Sequence, residues 1–138
     1  MSQKNVEIVK RTYDGINDAY KTGDYLQPIE EVCHPDVVLR TSGMFPESGE
    51  YHGYAGLREF TRNQAEAFEQ MSVQPAEFVD AGDQILVPVR FGGKASGLDL
   101  AQIHLQAAHL FEVRKGRVCK LVVYWDRERA FADLGLQE

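Results

Sequence analysis

The chain has 138 residues, of which 15 are basic and 21 acidic, and its formal net charge at pH 7 is −6. This length predicts a single domain, 1–138, with one hydrophobic core. The negative charge disfavours binding to nucleic acid or to an anionic membrane, so a small molecule or another protein is the expected partner. No segment approaches the roughly 20 apolar residues that span a bilayer, and the N-terminus lacks a signal-peptide core, which predicts a cytoplasmic protein.

The first two predicted elements are helices. A three- and four-residue apolar spacing predicts an amphipathic helix over Gln3–Lys21, ended by Gly23. The residues of this apolar face are Val6, Val9, Tyr13, Ile16 and Tyr20. A shorter helix is predicted from Asp24 to Cys33, where Pro28 indicates a late start or a bend and His34-Pro35-Asp36 ends the element.

The middle of the chain is predicted to contain a strand, a loop and a third helix. The strand covers Val37–Thr41, and the Gly-, Ser- and Pro-rich Ser42–His52 follows as a long surface loop in which Phe45 could cap a cavity. An apolar stripe then predicts the third helix, which Gly53 and Gly56 precede. Its residues are Leu57, Phe60, Gln64, Ala67, Phe68 and Met71.

The last part of the chain predicts three strands and a closing helix. Gln84–Phe91 alternates in the strand period, with Pro88 at an edge or bulge, and 92–99 is a flexible connection. Two longer strands meet at the turn 114–117. Asp126 can cap the final helix. The predicted order is α-α-β-α-β-β-β-α, an α+β fold.

On the first of the long strands, the odd-numbered positions form an apolar face in which His109 is the one polar residue. The apolar members are Ile103, Leu105, Ala107, Phe111 and Val113. A one-residue slip would instead turn His104, Gln106 and Ala108 inward. The count of apolar residues favours His109 as the inward histidine.

No metal or other cofactor is predicted. Cys33 and Cys119 lie far apart without CxxC or Cys/His ligand spacing, so two reduced, packed thiols are expected. No set of His, Asp and Glu has metal-ligand spacing on one face, so any site is expected to work without a cofactor.

Four short motifs carry a family resemblance. They are His34-Pro35-Asp36-Val37, Gly53-Tyr54-Ala55-Gly56-Leu57, Lys115-Gly116-Arg117-Val118 and Tyr124-Trp125-Asp126. Together with the element order they resemble the nuclear transport factor 2-like (NTF2-like) superfamily, and within it the SnoaL-like proteins. The resemblance covers nearly the whole chain. It implies a cone-shaped α+β barrel in which a strongly curved mixed or antiparallel sheet wraps around the N-terminal helices and encloses a ligand, and it implies a homodimer.

The strand register sets the position of His109 in that cone. A type I turn with a glycine bulge at 113–117 would pair Val113 with Arg117 and set His109 opposite Leu121. His109 would then share a face with Cys119, Val123 and Trp125. The resemblance agrees, because steroid isomerases carry a protonated aspartic acid on this strand as an oxyanion donor, and His109 matches that place.

Other positions depart from the steroid-isomerase pattern. The tyrosine of helix one in those enzymes falls at Ile16, and their general-base aspartate falls near Thr41, so steroid isomerisation is disfavoured. Tyr13 lies one turn before Ile16 on the same helical face and could supply a related hydroxyl. The arginine and paired aspartates of limonene-type epoxide hydrolases have no inward counterpart either.

Asp126 has two readings. It resembles the acidic residue that SnoaL-like polyketide cyclases place near the end of the last strand, where a carboxylate could accept a C–H proton, and it also suits a helix cap. With His109 opposite Leu121, Asp126 would lie about 16 Å further along the sheet, too far for a direct dyad. Trp125 and Phe45 are candidates for stacking on a flat ligand.

Two functions are therefore predicted. The first is a cofactor-independent acid/base enzyme of isomerase, cyclase or dehydratase type, acting on a small apolar metabolite, polycyclic ones included. His109, Asp126 and Tyr13 are its predicted catalytic residues. The predicted substrate-binding residues are Ile16, Thr41, Phe45, Phe60, Val89, Leu121, Val123 and Trp125. The second function is a non-catalytic dimeric module that binds a small ligand or another protein.

Overall fold

The computed structural model describes residues 2–22, 27–42, 49–95, 97–99 and 107–136. Within these residues the chain forms four helices and eight strands. The helices are α1 (Ser2–Thr22), α2 (Gln27–Val32), α3 (Gly53–Ala67) and α4 (Arg127–Asp133). The strands are β1 (Cys33–Ser42), β2 (Glu50–His52), β3 (Glu69–Pro75), β4 (Val79–Ala81), β5 (Gln84–Ala95), β6 (Leu98–Asp99), β7 (Ala107–Arg114) and β8 (Arg117–Tyr124).

The strands build one mixed sheet in the order β2-β1-β8-β7-β5-β3, with β4 and β6 also paired to β5. Strands β1 and β8 run parallel, whereas the other pairs are antiparallel. Register shifts interrupt the β1–β8, β3–β5 and β7–β8 pairs. Such bulges bend and twist strands, which lets the sheet curve around the helices. The predicted α+β fold is confirmed.

Helix α1 lies against the inner face of the sheet, as its apolar spacing predicts. Val9 and Tyr13 are buried, while Ile16 is half-buried. A polar contact fixes the helix to β3, because the Asn17 carboxamide donates to the carbonyl of Val73 and accepts from its N–H, both at 2.8 Å. This double hydrogen bond satisfies two backbone groups of an outer strand in the sheet.

The boundary between α2 and β1 lies earlier than predicted. Strand β1 begins at Cys33 and continues through His34-Pro35-Asp36, which the sequence indicated as a stop. Regular pairing with β8 is broken between Cys33 and Val38, so Pro35 sits where no ladder hydrogen bond is required of it. A proline therefore marks an irregularity within this strand.

Three further strand regions differ from expectation. Helix α3 ends at Ala67, and Met71 belongs to β3 instead of the helical stripe. The helical path ends at Phe68, whose φ of −128° and ψ of 143° are those of an extended chain. Strand β2 lies within the predicted loop 42–52, and β5 extends to Ala95, into the predicted flexible connection.

The sheet has an apolar layer on each side. The inner layer packs beneath α1 and α3 and holds most of the buried residues. The outer layer lies beneath α4 and contains Leu86, Ala108, Leu110, Val122, Tyr124, Ala130 and Phe131. Among the described helices, none is both long and apolar enough to cross a bilayer.

Candidate active site

A cavity of about 50 Å³ lies between the inner face of the sheet and helices α1 and α3. Its lining is mainly apolar, and the polar side chains among its described residues include His109, Thr12, Thr61 and Gln64. The half-buried lining residues all belong to α1 and α3, whereas those from the sheet are buried. The cavity therefore approaches solvent between the two helices, and the sheet forms its floor.

His109 lies on that floor, on the predicted inward face of β7, with 5% of its surface exposed. Its partner residue differs from the prediction, because His109 pairs with Val123 and Leu121 pairs with Phe111. The predicted turn was wrong. Lys115 and Gly116 both have positive φ and form a two-residue turn between paired Arg114 and Arg117.

A bulge then follows the turn on β8. Glu112 pairs with Lys120 and Val113 pairs with Val118, so Cys119 is the extra residue. Cys119 consequently leaves the inner face, where it was predicted, and its thiol donates to the Glu112 carbonyl at 3.4 Å. Val118 lines the cavity instead. The resulting offset of two residues at His109 preserves the face, because side chains alternate with a period of two.

Tyr13 provides the direct partner of His109. Its Oη lies 2.8 Å from His109 Nδ1, and both side chains are buried. The planes of the two rings are nearly parallel, at 8°, and the ring of Phe111 meets both of them edge-on. The residue that the helical face of α1 suggested is thus hydrogen-bonded to the residue that the strand pattern of β7 suggested.

Burial keeps both members of this pair neutral at pH 7. Desolvation lowers the pKa of His109 to about 4 and raises the pKa of Tyr13 well above its usual value near 10. A neutral imidazole carries one N–H, and the Tyr13 hydroxyl shares the Nδ1 side of the ring. The other ring nitrogen, Nε2, is left to donate or accept towards the cavity.

Several predicted ligand-contacting residues line the same cavity. They are Ile16, Phe60, Leu121, Val123 and Trp125. Trp125 stacks on Phe91, with ring centroids 5.2 Å apart, so two aromatic rings form one part of the wall. Val89 is fully buried in the core and Thr41 accepts a hydrogen bond from the Gly49 N–H; neither lines the cavity. Phe45 lies outside the described residues.

Asp126 does not reach the cavity. It is exposed and caps α4, where its carboxylate accepts from the Glu128 N–H at 3.1 Å. The corrected register brings it within three residues of the partner of His109, about 10 Å along the strand. The helix-cap reading of Asp126 therefore describes its position, and no direct contact with His109 exists.

Several lining residues were not among the predicted site residues. Cys33 was assigned to a helix, and burial raises the pKa of its thiol to about 12, which keeps it protonated. Thr12 and Thr61 stand beside the apolar stripes of their helices, and Phe91 was counted only as a core residue. A threonine next to a helical stripe could have indicated a polar group at the rim of the cavity.

Within the described residues, no group of three or more His, Cys, Asp or Glu side chains is arranged to hold a metal ion.

The curved sheet, its helices and the enclosed cavity define a protein of the NTF2-like fold class, as in similar solved structures. Residues 9–121 match the model of the SnoaL-like domain, and because this match spans most of the chain, the protein belongs to the SnoaL-like family. The family resemblance predicted from the sequence is confirmed. Curated proteins include no significant match to this chain.

Three solved structures illustrate the fold. TerC, co-crystallised with polyporic acid, has a TM-score of 0.70 at 23% identity, covering 95% of this chain and 97% of that one. A suspected polyketide cyclase from Sinorhizobium meliloti has a TM-score of 0.66 at 20% identity, covering 85% and 93%. A ketosteroid isomerase-like protein from Catenulispora acidiphila, in complex with trimethylamine, has a TM-score of 0.67 at 17% identity, covering 95% and 94%. These identities establish a shared fold alone.

Proposed function

We propose that this SnoaL-like protein is a cofactor-independent acid/base enzyme acting on a small, mainly apolar metabolite. The reaction is an isomerisation, cyclisation or dehydration in which His109, held by Tyr13, handles a proton. The observation that carries the proposal is the 2.8 Å hydrogen bond between buried His109, which lies on an otherwise apolar cavity floor, and the buried Tyr13 of α1, which does not itself line the cavity. A polar side chain that lines an apolar pocket and is held by a buried partner is typical of active sites.

The hydrogen bond to Tyr13 determines which ring nitrogen of His109 carries the proton, and therefore whether His109 acts on the substrate as a hydrogen-bond donor or acceptor. A phenol is a better donor than acceptor, so the favoured arrangement has the Tyr13 hydroxyl donating to Nδ1, which leaves the proton on Nε2. The Nε2–H then donates to a carbonyl or hydroxyl oxygen in the cavity. Negative charge that develops on this oxygen is stabilised in a site of low polarity, where a hydrogen bond is strong.

The reverse tautomer would make Nε2 a base. An imidazole whose pKa is about 4 binds a proton weakly, although a nearby anionic intermediate would raise that pKa. Among the described lining residues there is no carboxylate to take the base role. We therefore assign His109 first as hydrogen-bond donor and acid, with the C–H proton passing to water or to a basic group of the substrate.

The volume of the cavity limits the size of the substrate. A volume of about 50 Å³ holds about four water molecules, which together occupy about 120 Å³ of liquid. A compound with one six-membered ring is close to this size. A polycyclic ligand would require Phe60 and its neighbours at the cavity entrance to move aside. We therefore favour monocyclic substrates.

The test uses 3-cyclohexen-1-one, whose C2 protons lie between a carbonyl group and a double bond. We expect the protein to accelerate both its conversion to 2-cyclohexen-1-one and deuterium uptake from D₂O, followed by NMR. His109→Gln should lower both rates by roughly a hundredfold or more. His52→Gln, at an exposed histidine, is the matched control and should leave them unchanged.

Full activity in the His109→Gln variant would refute this assignment. A wild-type protein that bound the probe without exceeding the exchange rate in an equal concentration of free imidazole would support the rival function, a non-catalytic ligand-binding module. A homodimer and a cytoplasmic location remain predictions. A monomer mass measured by light scattering would contradict the predicted homodimer.

A further inference from the structure

Two buried threonines line the cavity from different helices, and they differ in how their hydroxyl groups are satisfied. Thr12 of α1 is 4% exposed, and its hydroxyl donates to the carbonyl of Ile8 at 2.9 Å. Thr61 of α3 is 6% exposed, yet its hydroxyl makes no hydrogen bond within the part of the chain that the structure describes. Its oxygen is not among the fully buried side-chain atoms without a partner in the described residues, so the hydroxyl is accessible from the cavity and available to a ligand.

Gln64 extends this polar feature along α3. It lies three residues after Thr61, a spacing that places both side chains on one face of a helix, and it also lines the cavity. Its carboxamide, half-buried, makes no hydrogen bond to a described residue. Helix α3 thus presents one hydroxyl and one carboxamide to the cavity, while His109 belongs to the sheet floor.

We propose that Thr61, with Gln64 beside it, forms a second polar subsite that binds a hydroxyl or carbonyl oxygen of the ligand. The preferred ligand class is then a ring-sized molecule with two oxygen functions, such as a hydroxyketone or a diketone. One oxygen meets the Nε2–H of His109 and the other meets Thr61. This inference deepens the proposed function and rests on it for the role of His109.

The subsite predicts selectivity as well as affinity. A ligand that lacks the second oxygen covers the Thr61 hydroxyl without offering it a hydrogen bond, whereas a ligand that carries this oxygen supplies one. Neutral groups suffice for this recognition, because a hydroxyl and a carboxamide can each donate and accept. The cavity should therefore favour uncharged oxygenated rings over plain ketones of the same size.

The experiment compares 4-hydroxycyclohexanone with cyclohexanone. Dissociation constants are measured by ligand-observed NMR and by the emission of Trp125, which lines the cavity. We expect wild-type protein to bind the hydroxyketone about tenfold more tightly. Thr61→Val should abolish this preference, Thr61→Ser should restore it, and Thr12→Val should retain it because the Thr12 hydroxyl is already bonded within α1. Circular dichroism verifies that each variant is folded.

Three results would overturn the subsite: equal affinities of the two probes in wild type, no saturable binding of either probe, or an unchanged preference in Thr61→Val. The outcomes separate the two proposals. A Thr61-dependent preference without turnover of 3-cyclohexen-1-one would retain the subsite and reject the enzyme. Turnover of that ketone with equal probe affinities would retain the enzyme and reject the subsite.

Discussion

Each face of the sheet is joined to a helix by a tyrosine hydrogen bond, and the two bonds differ in their surroundings. On the inner face, Tyr13 of α1 meets His109 of β7 at 2.8 Å. On the outer face, Tyr124 of β8 donates to the Asp133 carboxylate of α4 at 3.0 Å. The inner pair is buried beside a cavity, whereas the outer pair is part-buried at the end of a short helix.

The two hydrogen bonds differ in whether a polar atom remains available to a ligand after the bond has formed. Asp133 and Tyr124 connect two elements, and burial, with the carboxylate second, raises the pKa of Tyr124 to about 12. The bond between Tyr13 and His109 also connects two elements, but it leaves a ring nitrogen for the cavity. A hydrogen bond of the same kind can thus serve packing on one face and chemistry on the other.

The largest expected effect is on stability, and it compares the removal of a phenylalanine ring from the inner face of the sheet with the removal of one from the outer face. Phe111→Ala on the inner face removes a fully buried ring that contacts both Tyr13 and His109, and we expect a loss of about 3–5 kcal/mol in unfolding free energy. Phe131→Ala on α4 should lower stability by about 3 kcal/mol or less, because a short helix can shift to fill the space. Urea unfolding measures both losses. Only the inner variant should move the His109 imidazole resonances.

The next effect concerns pH. The pKa of His109 falls from 6.5 to about 4 on folding, so the unfolded chain binds more protons between these values. Stability is therefore full above pH 6.5 and declines as pH falls towards 4, by about 3 kcal/mol from this residue. Urea unfolding at a series of pH values should show that decline in wild type and a smaller one in His109→Gln. Parallel curves for the two proteins would contradict the neutral, buried state of His109.

The third prediction exchanges one tyrosine at a time. Tyr13→Phe should slow turnover of 3-cyclohexen-1-one by about 10- to 100-fold, because His109 loses the hydroxyl that sets its tautomer. Tyr124→Phe should change the rate by less than about twofold and lower stability by about 1 kcal/mol. Imidazole ¹⁵N shifts report the tautomer directly. Equal rate losses in the two variants would remove the distinction between the faces.

The smallest effect tests the two readings of Asp126. As a helix cap, it should contribute about 1 kcal/mol, which Asp126→Ala would remove. The rate of deuterium uptake by this variant, measured alongside its thermal unfolding, then shows whether Asp126 acts only as a helix cap or also as a catalytic base. A drop in rate of tenfold or more in a folded variant would give the carboxylate the proton-accepting role that the family resemblance predicts.

Much of the inner face could be predicted because helix and strand periods are local properties. The face of α1 that carries Tyr13 follows from a repeat of three and four residues, and the face of His109 follows from alternation. The register of β7 against β8 was wrong by two residues at His109, since the turn at Lys115-Gly116 and the bulge at Cys119 were not foreseen. An even offset leaves the inward face unchanged.

The remaining site residues depend on how distant elements pack together. Thr61 could not be assigned to the cavity because a helical stripe does not fix how far a helix is rotated over the sheet. Cys33 was missed because Pro35 was interpreted as the end of an element instead of an irregularity inside β1. The start of β3 was missed because Phe68 and Met71 continue the helical spacing into a strand.

The parallel pairing of β1 with β8 has a consequence for biosynthesis. Strand β1 spans Cys33–Ser42, but its neighbour β8 begins only at Arg117. The pairing of these two strands therefore joins distant parts of the chain. A nascent chain emerging from the ribosome must keep one side of β1 unpaired until β8 has been translated. Truncation before residue 117 would divide the sheet into separate groups of strands. The cavity floor, to which β8 contributes, thus cannot be completed before that strand has emerged.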